Sequence, residues 1–265
     1  MSNIKILPEN LSNKIAAGEV VERPASVVKE LMENSLDAGS SRIFIEIENG
    51  GRGLIQVADN GTGMSHDDAL LSIERYATSK ITKDSDLFTI QTLGFRGEAL
   101  PSIASVSHFS LTSRISEADT GIQIDVKGGR IDRVSEVGAP VGTLISVRRL
   151  FFNTPARRKF LKSVATEMGH IVEAVSAMAL GWPKVQVRLG HNNKTIKSWA
   201  KAKPAERVAN VLGANLRPDL MTVNQQDGDI IVKGWICAPR ITRSTSRGIY
   251  FFVNGRFVRD RVLQH

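Results

Sequence analysis

The sequence is poor in cysteine: Cys237 stands alone among 265 residues. An internal disulfide is thereby excluded, and no Cys or His partner lies at metal-ligand spacing from it. A lone cysteine in a strand-like segment reads as a buried core residue, and the lack of disulfides suits a reducing cytoplasm. Long apolar runs are lacking as well. The longest fall far short of the ~20 residues that span a bilayer, so no transmembrane helix is expected. The opening residues MSNIKILPEN contain no basic segment followed by an apolar stretch, and no signal peptide is expected. Internal repeats and low-complexity tracts are missing, which argues against a solenoid or a disordered chain. Acidic charge is in deficit: 27 acidic residues face 35 basic ones, a net charge of +8. Such an excess favours polyanionic partners. Hydrophobic residues at 42% and charged residues at 23% are ordinary for a globular protein. The length suits one large domain or two modest ones.

Pro24 suits the first turn of a helix, because its missing N–H would be unpaired there. The segment PASVVKELMENSLDAG then stops at Gly39, a helix-ending residue. Ile43, Ile45 and Ile47 alternate with Arg42, Phe44, Glu46 and Glu48, the period of a strand. Residues 54–58 read as a second strand that runs into Asp59-Asn-Gly-Thr-Gly63, and Ser65 can cap a further helix. Residues 76–97 show no period and read as a long loop of lid length. GEALPSIAS begins another helix. Strands follow at FSLTSRI, GIQIDVK, RIDRVSEV and TLISVRRLF, with Gly128-Gly129 as a hairpin turn. FFNTPARRKFLK reads as a basic loop, residues 166–180 as a helix, and short strands reach about Trp199. KAKP at 201–204 reads as a linker. After it come a short helix and strands near 230–237 and 249–254. These readings give an α+β chain with a first domain over 1–200 and a second over 205–265. The stop at RVLQH without a closing turn suggests that the second is truncated.

Three segments carry chemistry. On a helical wheel, Glu30, Glu33, Asn34 and Asp37 fall within one arc, and Val27, Val28, Leu31, Met32 and Leu36 cover the rest. A solvated acidic face would account for this pattern. However, stacked carboxylates repel, and Asn is a poor mid-helix residue without another reason to be there. DNGTG after a strand is a common turn. Its glycines would also let a flat ring approach the backbone, with Asp59 accepting from an amino group. In LGFRGEAL, Gly94 and Gly97 just before a helix would expose backbone N–H groups to an anion. Each segment alone is weak, and their order and spacing are far more specific.

ELMENSLDA, DNGTGM, GFRGEAL and GTLISV resemble the four signature segments of the GHKL ATPases, a superfamily of gyrase B-type topoisomerases, heat-shock chaperones, histidine kinases and MutL. IAAGEVVERPASVVKELMENSLDA, YATSKI, LGFRGEAL and NTPARRKF resemble the MutL branch, and the likeness spans essentially the whole chain. It implies a GHKL (Bergerat-type) α/β sandwich followed by the start of a ribosomal S5-like domain. It also implies ATP and Mg²⁺ as ligands. Glu30 would be the general base and Asn34 the Mg²⁺ ligand. Asp59 would read the adenine amino group, with Gly63 and Met64 against the ring and Thr143 in support. Asp37 and Ala38 belong to the first signature segment. Leu93, Gly94, Phe95, Arg96, Gly97, Glu98, Ala99 and Leu100 would wrap the phosphates, and Thr78, Ser79 and Lys80 would form the lid segment near the nucleotide. The family's γ-phosphate lysine lies C-terminal to the VNGR stretch and after the last residue of this sequence, so ATPase activity of this stretch alone is expected to be impaired.

RRLFFNTPARRKFLK, 148–162, holds six basic residues and no acidic one. Arg256, Arg259 and Arg261 form a second group, and Arg240, Arg243 and Arg247 a third. Any one of them is most simply a solvated face. Together they favour sequence-independent contact with DNA phosphates, through Arg157, Lys159, Arg256, Arg259 and Arg261. The resemblance further implies a slow ATPase matchmaker of DNA mismatch repair that dimerises with ATP. Its partners would be a MutS-type protein and a downstream endonuclease or helicase, in a cytoplasmic, nucleoid-associated setting. A histidine kinase would need a phospho-accepting region ahead of the 29 residues that precede Glu30. A topoisomerase fits ERPASVVKE and NTPARRKF less well, and a bare DNA-binding module leaves the acidic helix unexplained.

Overall fold

The computed structural model describes residues 5, 17–18, 20–81, 83, 85–86, 92–242, 248–260 and 262–263. Helix α1 (Pro24–Asp37) is followed by β1 (Arg42–Glu48), β2 (Leu54–Asp59), α2 (His66–Leu71) and α3 (Ala99–Ser105). Strands β3 (His108–Arg114), β4 (Gly121–Lys127), β5 (Arg130–Val137) and β6 (Gly142–Arg148) come next. Then follow α4 (Pro155–Phe160), α5 (Val164–Gly181), β7 (Gln186–His191), β8 (Lys194–Trp199) and α6 (Pro204–Leu212). The last elements are β9 (Leu220–Asp227), β10 (Ile230–Cys237), β11 (Phe251–Val253) and β12 (Arg256–Val258).

The large sheet has eight strands in the order β5-β4-β3-β6-β2-β1-β7-β8. Period-two alternation sends Ile43, Ile45 and Ile47 of β1, Phe109 and Leu111 of β3, and Ile122 and Ile124 of β4 into the core. Val27, Val28, Leu31, Met32 and Leu36 of α1 are buried with them, as an amphipathic helix on a sheet requires. Each such side chain contributes about 1.5–3 kcal/mol on full burial. Helix α1 ends where expected: Gly39 has φ +71°, a conformation that favours glycine. Gly128 and Gly129, at φ +60° and +85°, form the two-residue turn that sets Lys127 opposite Arg130.

Several elements differ from the sequence reading. FFNTPARRKFLK is not all loop, because Pro155–Phe160 forms α4. Its residues are half-buried or exposed, so no apolar period marked it. Helix α5 starts at Val164, two residues before the expected start at Thr166. Strand β9 was not anticipated, since LMTVNQQD is largely exposed and mostly polar. Cys237 ends β10 half-buried rather than fully buried.

The chain divides into two compact units, residues 1–175 with 187–198, and residues 176–186 with 199–265. In the second unit, Arg207 of α6 is fully buried. Its guanidinium donates to the carbonyls of Ala179, Pro183, Val185 and Ala200 at 2.6, 3.1, 2.8 and 2.8 Å. One planar fork thereby ties separate chain segments together. Burial lowers its pKa from the usual arginine range.

Candidate nucleotide site on the polar face of helix α1

The buried stripe of α1 leaves Glu30, Glu33, Asn34 and Asp37 half-buried on the opposite side. Lys29 pairs with Glu33 at 3.5 Å, an i,i+4 contact that relieves part of the acidic repulsion. Glu30 lies one turn before Asn34 on the same side.

Asp37, whose side chain is only 7% exposed, joins three pieces of chain. Its carboxylate accepts the N–H of Leu93 at 2.8 Å and of Gly94 at 3.1 Å. It also accepts from Lys80 Nζ at 2.5 Å, and the same ammonium donates to Asn34 Oδ1 at 3.0 Å. Three expected groups, the acidic helix, the TSK segment and the glycine turn, are therefore in contact. The N–H groups of Leu93 and Gly94 point at α1 rather than outward. Asn34 Oδ1 and Asp37 Oδ2 converge on one positive charge, and both are hard oxygen donors of the kind that suit Mg²⁺. The residues fit a cation at this place.

The glycine turn is held from the other side by residues 75–80. Gly97 has φ +63°, and a Cβ there would strike the backbone carbonyl of Ala77. Arg75 pairs with Glu98 at 3.1 Å. Lys80 N–H donates to Thr78 Oγ1 at 3.2 Å, and Thr92 Oγ1 donates to the Gly94 carbonyl at 2.7 Å. The Arg96 guanidinium lies 5.8 Å from the centre of the Phe95 ring. Ala99 and Leu100 open α3, half-buried. Ser79 is exposed within the same segment.

A second cluster surrounds Asp59, the last residue of β2. Its carboxylate accepts Ser35 Oγ–H at 2.7 Å and the Gly61 N–H at 2.9 Å. Because Ser35 belongs to α1, the helix bearing Glu30 and Asn34 also orients Asp59. The turn after Asp59 closes on the end of α1, where Thr62 N–H donates to the Ala38 carbonyl at 3.0 Å. Gly63, at φ +71°, passes so close to the Arg114 carbonyl that a Cβ would collide. Ser113, 1% exposed, links the rest. Its Oγ accepts the Met64 N–H at 2.9 Å, donates to the Gly142 carbonyl at 3.0 Å and meets Thr143 Oγ1 at 2.9 Å. Met64, Gly142 and Thr143 are thus gathered by one buried hydroxyl. Ser35 and Ser113 were not singled out from sequence. The one available signal was a serine at an inward-facing position, mid-helix in one case and between Leu111 and the end of β3 in the other.

The expected DNA contacts belong to both units. In the first unit Arg157 is half-buried, with its guanidinium against Gly18, and Lys159 is exposed. In the second, Arg256 is half-buried in β12, and the exposed Arg259 has its guanidinium 5.6 Å from the Phe257 ring. Arg261, Arg243 and Arg247 lie outside the described residues. Arg240 is paired with Asp219, its Nε at 2.8 Å.

Residues 22–138 match the family of histidine kinase-, DNA gyrase B- and HSP90-like ATPases, and residues 208–265 match the DNA mismatch repair protein C-terminal domain. The chain is 54% identical over 264 residues to the DNA mismatch repair protein MutL of Citrifermentans bemidjiense, matching all of this chain and 41% of that one. It is 52% identical over 262 residues to MutL of Geobacter sulfurreducens, covering 99% of this chain and 43% of that one. The chain therefore spans about four-tenths of the length of these relatives. The Aquifex aeolicus MutL ATPase domain complexed with ADP superposes with TM-score 0.75 at 33% identity, over 92% of this chain and 86% of that one. On this identity and coverage, together with the two family matches and the mixed α+β sheet, the chain belongs to the MutL DNA mismatch-repair family, in the region of its GHKL-type ATPase domain.

Proposed function

We propose that this chain binds ATP with Mg²⁺ against the polar face of α1 and hydrolyses the γ-phosphate bond. The observation that carries this reading is the joint dependence of both clusters on one helix. Asp37 holds the glycine turn and Lys80, while Ser35, two residues earlier, holds Asp59. Adenine recognition and phosphate binding are therefore set by the same rigid element. The solved ADP complex of the Aquifex aeolicus domain supports a nucleotide as ligand.

In this reading Asp59 accepts from the adenine amino group, and the Ser113 network fixes Thr143 and Met64 beside it. Gly63 leaves room for the ring. Glu30 takes the proton of the attacking water. Asn34 would hold Mg²⁺, which supplies charge neutralisation at the phosphates when bound. Residues 93–100 and 78–80 enclose the phosphates, and an incoming nucleotide gives Lys80 an alternative anionic partner. Catalysis rests on positioning and electrostatics. The ATP-binding domain would occupy residues 1–200 and a second domain would begin at 205. Within the longer protein, ATP would drive N-terminal dimerisation. That state would couple a MutS-type mismatch-recognition protein to a downstream endonuclease or helicase, with DNA held by its backbone.

Single-turnover hydrolysis of γ-labelled ATP by the Glu30→Ala variant tests the assignment. The expected result is loss of phosphate release with nucleotide binding retained. Hydrolysis at the parent rate would remove Glu30 from the mechanism.

A further inference from the structure

The sheet face carrying His108 lies opposite the one that buries Phe109 and Leu111. Antiparallel register sets Lys127 of β4 opposite both His108 of β3 and Arg130 of β5, and sets His108 opposite Arg148 of β6. Residues directly opposed share a face. Four basic residues therefore stand side by side across β5, β4, β3 and β6. With strands ~4.8 Å apart, the row runs about 14 Å. Lys127, Arg130 and Arg148 are exposed and His108 is half-buried.

Like charges set directly opposite one another destabilise a sheet. Lys127 and Arg130 are such a pair, and Arg148 stands two strands from Lys127 with His108 between them, so an anion lying along the row relieves repulsion. The row borders a cavity of about 360 Å³ lined by His108, Ser110, Asp125, Lys127, Ser146 and Arg148 among others. The Ser110 and Ser146 hydroxyls flank the row one register step away and can donate to phosphate oxygens. Two carboxylates are nearby. Asp125 accepts from Gln123 Nε2 at 3.2 and 3.1 Å, and Asp132 lies at the β4–β5 irregularity. The cations of the row, with Arg149 just beyond β6 and Arg133 opposite Asp125, outnumber them.

We propose that the row Arg130–Lys127–His108–Arg148 is a contact surface for the phosphodiester backbone of DNA. This rests on the reading of the chain as a DNA-binding repair protein and adds a row on the large sheet that shares Arg148 with the basic segment 148–162 and otherwise consists of residues outside the expected groups. An extended, open row fits a polymer better than a small anion. A straight row of this length can meet more than one phosphate of a single backbone. His108 gives the surface a chemical signature. Burial lowers its pKa below the usual 6.5, and Lys127 and Arg149 push it the same way while Asp132 opposes them. The free protein therefore holds His108 largely neutral at neutral pH. A phosphate placed among these groups, with Arg130, Arg148 and the Phe152 ring around it, favours the imidazolium. DNA binding then takes up a proton and tightens as pH falls.

Fluorescence anisotropy with a labelled 30-mer duplex, at several salt concentrations and at pH 6 and 8, tests the surface. The parent is compared with Lys127→Glu/Arg148→Glu, with His108→Gln, and with the equal charge change Lys194→Glu/Lys197→Glu on exposed β8, the opposite edge of the sheet. The row variant is expected to lose at least about tenfold in affinity and to shallow the log–log salt slope by about 1.8, two contacts at ~0.9 each. The β8 variant should stay within about threefold of the parent, and His108→Gln should lose the pH effect. Millimolar pyrophosphate should be needed to displace DNA. Equal losses in the row and β8 variants, or an unchanged row variant, would overturn the surface and leave DNA binding standing. Displacement by pyrophosphate at the DNA concentration would show a small-anion site instead. A parent that binds no duplex would remove the DNA reading and this surface with it.

Discussion

Replacing Asp37 with alanine should release the glycine turn from α1 and weaken nucleotide binding severely. The carboxylate accepts two backbone N–H groups, of Leu93 and Gly94, and one ammonium, of Lys80. A hydrogen bond to a charged acceptor is worth about 1.5–3 kcal/mol. The Asp37 side chain is 7% exposed, so solvent weakens the two backbone bonds little. Lys80 is 20% exposed and regains hydration once released, so its share is discounted. Freed N–H groups of Leu93 and Gly94 recover part of their energy from water. A net loss of about 2–3 kcal/mol in holding the turn remains, and it appears as a 30- to 150-fold rise in Kd for a non-hydrolysable ATP analogue, roughly tenfold per 1.4 kcal/mol. Asp37→Asn keeps one oxygen and so one backbone bond, and should cost about tenfold. Isothermal titration calorimetry on the parent and both variants gives the ratio directly. An alanine variant within threefold of the parent would show that the turn does not need Asp37 to receive phosphates.

Arg207→Met should destabilise the second unit by about 3 kcal/mol or more, because buried carbonyls of Ala179, Val185 and Ala200 lose their donor; urea unfolding followed by Trp fluorescence measures this, and an unchanged midpoint would refute it. Gly97→Val, at φ +63° against the Ala77 carbonyl, should abolish tight nucleotide binding while leaving the sheet's circular dichroism intact. Ser113→Ala should raise the Kd for ATP by about five- to tenfold by freeing the Met64 N–H and Thr143, in line with the loss of about 1–1.5 kcal/mol of hydrogen bonding. Competition between ATP and GTP checks whether that loss falls on base recognition, as the Asp59 cluster requires.

Local chemistry made much of this legible. Pro24 and Gly39 bracket α1, the isoleucine alternation marks β1, and Gly128-Gly129 turns β4 into β5. Helix α4 escaped because PARRKF has no apolar period and buries no residue fully. Strand β9 escaped because exposure leaves its alternation without a hydrophobic record. In the candidate site, the polar arc of α1 and the turn after β2 drew notice to Glu30, Asn34 and Asp59, and the resemblance of the signature segments supplied their expected roles. The contacts that orient them were invisible because their partners are distant in sequence. Ser113 reaches Met64 from 49 positions away, and Asp37 reaches Gly94 from 57. Nor could spacing say that Lys80 would stand beside Asn34. For the basic groups, clustering along the chain carries less than the fold does. Clustering in sequence suggested surfaces, yet Arg240 is paired with Asp219, and Arg157 lies half-buried against Gly18. A row such as Lys127–His108–Arg148 emerges only from strand register.

In the proposed function one helix, α1, organises a single site for adenine and phosphates. Calorimetric titration of a non-hydrolysable ATP analogue into the parent and into Asp59→Asn, each with and without Mg²⁺, tests it most directly. The parent is expected to bind saturably, one to one and more tightly with Mg²⁺, and the variant to lose at least tenfold in both conditions. Absence of saturable binding by the parent, or an Asp59→Asn variant that binds as tightly as the parent, would contradict it.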